Sequence, residues 1–385
     1  MGYQITDAQR DLYRQTSARS RARKALAQAG ADLKPIHPIN NPRFDPTELM
    51  PQRSPSRLCA LSLFSGGGGL DLGLERAGFA HVCSYDILDI CGETLSANRP
   101  AWPVCRGSNG DVTGVDWTKM HQGIDLVHGG PPCQPFSVAG RQRGRNDERD
   151  MWPQFIRAVH ALGPSAFIAE NVPGLVQSRF ADYVTESILQ PLGDYRIRRF
   201  VLNAADFGVP QNRRRVFFVG FASAAAAERF HQPAPTHGPP EPDLFAPPAA
   251  TGARWALGLP DIGFDEPAPT LRSGFTGPRK TTGVINSKAS LERWTRLQIW
   301  PHGVAVSREA AHRFPPENGH FRLSVQDCAL LQGFPADWRF SGAVYQVLGQ
   351  IGNSVAPPVA YQVACAVRAA LAGEQSPTVR LVKRA

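Results

Sequence analysis

The sequence predicts an α/β fold built around a mostly parallel sheet. From Leu58 onward, short apolar runs alternate with stretches of helical periodicity, which is typical of strands joined by crossover helices. A glycine-rich turn, Phe64 to Gly69, follows the first apolar run directly, and such turns let the backbone approach a ligand. With 385 residues the chain can bury a large core and form two or three folding units.

The predicted strands are short and end near residues that can do chemistry. We place them at residues 58–63, 81–86, 124–128, 166–170, 197–203 and 215–221. A helix is predicted over residues 70–77, directly after the glycine turn. Residues 251–320 show little periodicity, and residues 346–372 are predicted to form a turn followed by a helix rich in Ala and Val.

Composition favours a nucleic-acid partner and an intracellular location. The formal net charge is +9 with a pI near 9.4, which suits a polyanion. The seven cysteines are odd in number and none has CxxC spacing, so we expect no disulfide framework and no metal. No apolar run approaches the ~18 residues of a membrane span, and the first residues do not resemble a signal peptide. We therefore expect a soluble cytoplasmic protein with no membrane partner.

The N-terminal residues 1–57 are predicted to be a basic extension and a linker. Thr6 and Gln9 have capping-box spacing, and a helix is predicted from Asp7 to about Gln28. Its basic residues are Arg10, Arg14, Arg19, Arg21, Arg23 and Lys24. A phosphate-binding arm and a solvated helix are both compatible with this pattern. The stretch from Pro35 to Pro55 is predicted to be a proline-punctuated linker.

One cysteine lies on a stiff loop at the predicted end of a strand. Cys133 stands between prolines after the strand 124–128. Prolines restrict φ, and the carboxyl edge of such a sheet is where α/β proteins bind ligands. Cys133 is therefore a candidate nucleophile, with a buried structural cysteine as the alternative.

Charged residues are predicted at the same sheet edge. Glu170 ends one strand, and a cleft carboxylate often has a raised pKa and can hold or deliver a proton. Arg213 and Arg215 precede another strand and would share one face of an extended chain. Asp86 ends the second strand, where a carboxylate can hydrogen-bond ribose hydroxyls. Together with the glycine turn, Asp86 predicts an adenosine-type cofactor. For Glu170 the alternative is an ordinary surface glutamate, and for Arg213 and Arg215 it is a solvated basic edge strand.

Six motifs in order closely resemble the C5-cytosine-specific DNA methyltransferase family of the bacterial restriction–modification type. The motifs are FSGGGG, PPCQPFS, ENV, QNRRR, LSVQDCALLQGFP (323–335) and GQIGNSVAPPVA (349–360). The resemblance covers about 57–222 and 320–372. It implies a Rossmann-like sheet that uses S-adenosyl-L-methionine, with a smaller, irregular target-recognition domain.

The resemblance also implies the domain boundaries and catalytic roles. We expect a catalytic and cofactor domain over 58–222, a target-recognition domain over 223–342, and a C-terminal segment, 343–385, that returns to the catalytic domain. Cys133 would attack C6 of a cytosine flipped out of the duplex, and Glu170 would contact N3 and the exocyclic amine. Arg213 and Arg215 would lie near the cytosine and its O2.

The cofactor and DNA contacts follow from the same resemblance. The expected cofactor residues are Phe64, Ser65, Gly66, Gly68, Asp86, Ile87, Asp111, Val112, Pro132, Asn353 and Val355. Asp86 replaces the usual Glu, and Ser62 replaces a common Asp before Leu-Phe. The expected DNA-binding residues are Gln134, Ser137, Arg141, Arg272, Arg279 and Lys280. The loop after Cys133 would serve as a lid.

The leading hypothesis is a monomeric DNA (cytosine-5-)-methyltransferase acting on double-stranded DNA, with a cognate restriction endonuclease as its genetic partner. A tRNA cytosine-5 methyltransferase shares these motifs. A non-catalytic DNA-binding protein on the same scaffold is disfavoured by the presence of Cys133, Glu170 and both arginines. A nicotinamide oxidoreductase would explain the glycine turn but not PPCQ, ENV or QNRRR.

Overall fold

The structure is a computed structural model that describes residues 7–28, 37–120, 123–132, 150–238, 248–273, 275, 282–313, 316 and 319–373. The strands are β1 Cys59–Leu63, β2 Ala80–Asp86, β3 Val104–Arg106, β4 Leu126–Gly129, β5 Ala166–Asn171, β6 Arg196–Asn203, β7 Gln211–Asn212, β8 Arg214–Phe221, β9 Ala268–Pro269, β10 Ile299–Ala305 and β11 Phe321–Ser324. The α-helices are α1 Asp7–Gln28, α2 Gly69–Arg76, α3 Asp89–Asn98, α4 Trp152–Leu162, α5 Ala181–Val184, α6 Ala224–Arg229, α7 Ala253–Ala256, α8 Lys288–Arg296, α9 Arg308–Arg313, α10 Val325–Leu331, α11 Val344–Asn353 and α12 Pro357–Ala372.

A central sheet with the strand order β3-β2-β1-β4-β5-β8-β6 forms the scaffold. Strands β1 to β5 pair in parallel, whereas β8 runs antiparallel to both β5 and β6. The carboxyl ends of β1, β2, β4 and β5 therefore meet at one edge of the sheet, together with the amino end of β8. The motifs FSGGGG, ENV and QNRRR all lie at this edge of the sheet, as do the first two residues of PPCQPFS.

Both faces of the sheet are covered by apolar side chains. Along β5, Ala166 and Ile168 belong to one buried cluster, while Phe167 and Ala169 belong to the other. This alternation follows from the two-residue period of a strand and requires helices on both faces. On one face α2 packs closely on α12, because a Cβ at Gly73 would lie only 2.5 Å from Cβ of Ala360.

The six predicted strands are confirmed to within a few residues, and so is the helix after the glycine turn. Strand β3 was not predicted, because it has only three residues and no distinctive pattern. The predicted turn and helix over residues 346–372 are two helices, α11 and α12. The segment predicted to have little periodicity contains short elements, among them α8 and the parallel pair of β10 and β11.

From His37 onward, the predicted linker packs against the body of the protein. The side chain of Asn40 is buried and donates hydrogen bonds to Leu257 O and to Oδ1 of Asp327, both at 3.0 Å. Met50 is fully buried. From His37 onward the predicted proline-punctuated linker therefore contributes buried side chains to the packed body of the protein.

The stretch Val344–Ala372 is long and apolar enough to cross a membrane by length and composition, but it is mostly buried inside the protein. The expectation that no stretch reaches membrane-span length is corrected to that extent. Core helices of soluble proteins pass the same test of length and composition, so this finding is weak evidence for a membrane span.

Candidate active site

The chain leading to the predicted nucleophile is held at the end of β4. In the parallel register Gly129 lies opposite Ala169, so Gly130 comes alongside Glu170. A Cβ on Gly130 would lie 2.9 Å from Oε2 of Glu170. One step further, Nδ2 of Asn171 donates a hydrogen bond of 3.1 Å to Pro131 O. The ENV motif therefore supplies both a carboxylate and an amide that anchors the PPCQ loop.

Glu170 forms a buried ion pair with Arg215. Nε of Arg215 lies 2.7 Å from Oε1 of Glu170, and the two side chains are 13% and 8% exposed. The contact arises because β8 runs antiparallel to β5 and begins at the edge where β5 ends. Burial raises the pKa of Glu170 above its ordinary value, and the positive charges of Arg215 and Arg213 oppose that rise.

Arg213 joins this edge to the last sequence motif. Its side chain is almost completely buried, and Nη2 donates to Gly352 O at 2.8 Å and to Ser354 O at 2.7 Å. The charges of Arg213 and Arg215 both lower the pKa of Glu170, but only Arg215 forms an ion pair with this carboxylate.

Two buried glutamines, Gln211 and Gln332, lie beside Arg213 and were not predicted; Gln332 and Arg213 both donate to Ser354 O. Nε2 of Gln211 donates to Oε1 of Gln332 at 2.9 Å and to Leu331 O at 3.1 Å. Oε1 of Gln211 accepts a 3.1 Å bond from the Leu271 N–H, and Nε2 of Gln332 donates to Ser354 O at 2.7 Å. Both glutamines lie inside quoted motifs, but burial of an amide leaves no local sequence signal.

The glycine turn at the end of β1 has an unusual backbone. Phe64 has φ of 55°, a left-handed conformation that a bulky residue rarely adopts, and Gly66 and Gly68 have φ of 56° and 82°. Ser62, which stands where the family commonly has Asp, forms a 2.8 Å hydrogen bond between its Oγ and Oγ of Ser65 in the turn. Strain of this kind is typical of ligand-binding turns.

Asp86 closes the other side of the turn. Its Oδ2 accepts a 2.7 Å bond from the Gly66 N–H, and Oδ1 accepts a 2.8 Å bond from the Leu88 N–H. Burial raises the pKa of Asp86, and these two N–H donors lower it. Next to this carboxylate, Ile87 and Leu88 are 61% and 43% exposed. The site therefore offers a carboxylate beside an uncovered apolar surface.

Asp111 and Val112 lie in a turn beyond β3. Oδ1 of Asp111 accepts hydrogen bonds from the backbone N–H and hydroxyl of Thr113, and the N–H bond in particular lowers the pKa of Asp111. Val112 is buried. Arg157 of α4, which the sequence analysis did not select, donates to Val115 O at 2.7 Å and to Val112 O. Arg157 thus ties this turn to the helix that follows the PPCQ loop.

The last motif packs on the glycine turn. A Cβ at Gly69 would lie 2.1 Å from Val355 O, so this close approach requires glycine. Nε1 of Trp338 donates to Gly67 O at 3.2 Å. Asn353 is exposed beside the buried Val355. The first and last motifs, almost 300 residues apart in the chain, are therefore neighbours.

Comparison with known proteins identifies the family. The family model described as C-5 cytosine-specific DNA methylase matches residues 58–256 and 270–369. The chain belongs to this family. It is therefore a DNA (cytosine-5-)-methyltransferase that uses S-adenosylmethionine as methyl donor.

Two curated relatives and one solved structure illustrate the similarity. Type II methyltransferase M.NgoMIV of Neisseria gonorrhoeae is 36% identical over 318 residues, which cover 78% of this chain and 94% of that protein. M.NaeI of Lentzea aerocolonigenes is 33% identical over 326 residues, which cover 81% and 75%. A crystal structure described as a DNA modification methyltransferase encoded within a prophage of E. coli has a TM-score of 0.55 and 26% identity, and covers 82% of this chain and 99% of that one.

The cofactor edge of this methylase fits S-adenosylmethionine. The Asp86 carboxylate lies where a ribose could be bound, and the exposed Ile87 and Leu88 side chains provide the apolar surface that an adenine ring would cover. Within the described part of the chain, no group of three or more His, Cys, Asp or Glu residues could hold a metal ion.

The structure describes some of the predicted site residues and leaves out others. Cys133, Gln134, Ser137, Arg141, Arg279 and Lys280 lie outside the described residues. Arg272 is half-buried between Leu271 and Ser273, which are both buried. Ser273 Oγ donates a long, 3.4 Å hydrogen bond to Gly349 O. The methylase therefore holds Arg272 close to the last motif and to the glutamine pair.

Proposed function

We propose that this methylase modifies one cytosine in a specific duplex sequence and thereby protects DNA from a cognate restriction endonuclease. The observation that supports this assignment most directly is the buried Glu170–Arg215 pair next to Gly130, at the loop that leads to Cys133. The relatives M.NgoMIV and M.NaeI are named type II methyltransferases, which supports a restriction–modification role. The endonuclease would be a genetic partner, and the methylase itself a monomer in the cytoplasm, associated with the nucleoid.

In the proposed reaction Cys133 is the nucleophile. Its thiolate adds to C6 of the flipped cytosine, which gives C5 enamine character and makes it nucleophilic. S-adenosylmethionine, when bound, supplies an electrophilic methyl group on its sulfonium. After C5 has gained the methyl group, a base removes H5, and the electrons of that bond expel the Cys133 thiolate and restore the ring. The two arginines add positive charge, which favours the thiolate.

Glu170 is proposed to support the ring nitrogen N3 during the attack on C6. Addition of a thiolate places negative charge on the ring, and a proton held between Glu170 and N3 offsets that charge. Burial raises the pKa of Glu170, which is the direction that favours a carboxyl group able to hold or deliver a proton. Arg215 keeps the carboxylate in place through the 2.7 Å contact, and Arg213 is proposed to lie near O2.

The remaining predicted residues are proposed to bind cofactor and DNA. The cofactor would lie against Phe64, Ser65, Gly66, Gly68, Asp86, Ile87, Asp111, Val112, Pro132, Asn353 and Val355. The DNA backbone would contact Gln134, Ser137 and Arg141, and residues 223–342 would form the recognition domain. Arg272, Arg279 and Lys280 are proposed to contact bases or phosphates there.

The nucleophile is tested with Cys133→Ser and a duplex that contains 5-fluorocytosine. Fluorine cannot leave as H5 does, so the wild-type enzyme should become covalently attached to this duplex. Cys133→Ser should lose methyl transfer and trapping while DNA and cofactor binding remain largely unchanged. The matched control is Cys59→Ser, a partly exposed thiol at the start of β1, which should behave like wild type. Trapping through a different cysteine would refute the assignment.

The substrate is tested by bisulfite sequencing of DNA from cells that express the methylase. We expect conversion-resistant cytosines at one recurring sequence. A parallel assay should compare methyl incorporation into duplex DNA and into tRNA. Labelling of tRNA with inert duplex DNA would overturn the proposed substrate and leave the proposed chemistry intact.

A further inference from the structure

Helix α1 precedes the part of the chain that the family model matches, and nothing in the proposed reaction uses it. The helix has 22 residues, of which six are Lys or Arg and two are Asp. At 1.5 Å per residue it is about 33 Å long. Its exposed arginines include Arg10, Arg14, Arg19 and Arg21.

The exposed arginines of α1 are not spread evenly around the helix. With 100° per residue, Arg10, Arg14 and Arg21 fall within about 40° of one another, whereas Arg19 lies about 180° from Arg10. All four residues are exposed. From Arg10 to Arg21 the row extends over about 17 Å, half of the roughly 34 Å helical repeat of B-DNA. We call Arg10, Arg14 and Arg21 the basic row.

Two members of the basic row have acidic neighbours on the same helix. Arg10 contacts Asp7 at 2.9 Å and Arg14 contacts Asp11 at 3.3 Å, in pairs whose side chains are 59% to 90% exposed. Exposed pairs of this kind contribute little to stability. A phosphate can therefore replace the carboxylate as a partner at small cost.

The anchoring of the following segment limits how far α1 can lie from the proposed recognition domain. Nε2 of His37 lies 2.7 Å from Gly319 O, and Asn40 is tied to Leu257 and Asp327. Nine peptide steps separate Gln28 from His37, so the end of α1 lies within about 30 Å of this anchor. Residues 257, 319 and 327 all fall within 223–342, and DNA bound there is within reach of α1.

We propose that the basic row of α1 binds phosphates of the duplex beside the target sequence, and so adds affinity without adding sequence choice. This proposal rests on the proposed function, because it takes duplex DNA as the substrate. Charge complementarity identifies the partner: a row of guanidinium groups matches a polyanion with one charge per about 1.7 Å. The second reason is distance: the contacts of His37 and Asn40 keep the end of α1 within about 30 Å of the proposed recognition domain.

The test measures binding of the full-length protein to a fluorescein-labelled 30-base-pair duplex of random sequence between 50 and 200 mM NaCl. The slope of log K against log salt changes by about 0.9 for each phosphate contact. Arg21→Gln should reduce the slope by about 0.9, and Arg10→Gln, Arg14→Gln and Arg21→Gln together by up to about 2.7. Arg19→Gln, the matched control on the opposite face, should leave the slope unchanged. Helix content by circular dichroism should be equal in all variants.

Two outcomes would overturn the proposal. An unchanged slope in the triple variant would show that α1 does not contact DNA and would favour an acidic protein as its partner. An equal effect of Arg19→Gln and Arg21→Gln would show only a general charge effect. Bisulfite sequencing with the wild-type protein separates the two proposals. If the wild-type protein methylates duplex DNA but the salt slope of the triple variant is unchanged, only the α1 proposal is refuted. If no duplex is methylated, the proposed function is refuted.

Discussion

Replacing Gln211 by Met should destabilise the enzyme far more than the same replacement at Gln332. Gln211 is fully buried, and its amide satisfies the Leu271 N–H, Leu331 O and Oε1 of Gln332. Met has a similar length but cannot replace these bonds. A buried group that loses its partner costs ~1–3 kcal/mol, and three groups lose one here, so we expect the free energy of unfolding to fall by at least ~3 kcal/mol.

Gln332→Met removes two hydrogen bonds but leaves neither partner without another. Ser354 O still accepts from Nη2 of Arg213, and Nε2 of Gln211 still donates to Leu331 O. At a net ~0.5–1.5 kcal/mol for each bond, the expected loss is ~1–2 kcal/mol. The double variant should lose less than the sum of the two single variants, because the 2.9 Å bond between the glutamines can be lost only once.

The measurement is urea unfolding of the full chain, followed by circular dichroism and by tryptophan fluorescence. The two probes must give coincident transitions before free energies are compared, because a chain of 385 residues can unfold in stages. Gln154→Met, on α4, is the control, because the Oε1 of Gln154 accepts a 2.9 Å hydrogen bond from Nε of Arg157 in a part-buried contact away from the glutamine pair. A loss at Gln332 equal to or greater than that at Gln211, or strict additivity in the double variant, would refute the reasoning.

Further predictions concern the cofactor, the proposed catalytic carboxylate Glu170 and recognition. Asp86→Ala should weaken S-adenosylmethionine binding by ~1–3 kcal/mol in calorimetry, because it removes the carboxylate proposed to bind ribose, whereas Asp116→Ala, which removes an exposed carboxylate, should not change it. Arg215→Met removes a charge that lowers the pKa of Glu170, so Glu170 should stay protonated to higher pH. The alkaline limb of the plot of kcat/KM against pH should therefore move to higher pH. A move to lower pH would exclude a protonated Glu170 in catalysis. Because burial raises the pKa of Glu170 in the folded protein, its contribution to stability is present below the pKa of an unfolded glutamate and is lost as pH rises through the folded pKa. Arg215→Met should widen this pH range, because it removes a charge that lowers the pKa of Glu170. Arg272→Ala should change or relax the methylated sequence in bisulfite data, or weaken all duplexes alike, with unchanged S-adenosylmethionine affinity.

Local pattern determined the elements of this protein and the order of its motifs. Short apolar runs predicted six strands, because burial on both faces requires uninterrupted apolar residues in each strand. The glycine turn predicted the cofactor edge, since only such a turn lets the backbone approach a ligand there. Arg213 and Arg215 could be predicted as a pair, because residues two positions apart share one face of an extended chain.

Only the tertiary structure decided which of these residues meet. The antiparallel direction of β8 brings Arg215 to Glu170, and nothing in the apolar run of that strand reports its direction. The glutamine pair joins residues 121 positions apart, and the packing of Asn40 on Asp327 spans 287 positions. A hydrogen bond between distant residues depends on how the chain returns to itself, and residue type alone does not encode that path. Sequence therefore determined the chemical groups available, while the fold determined their partners.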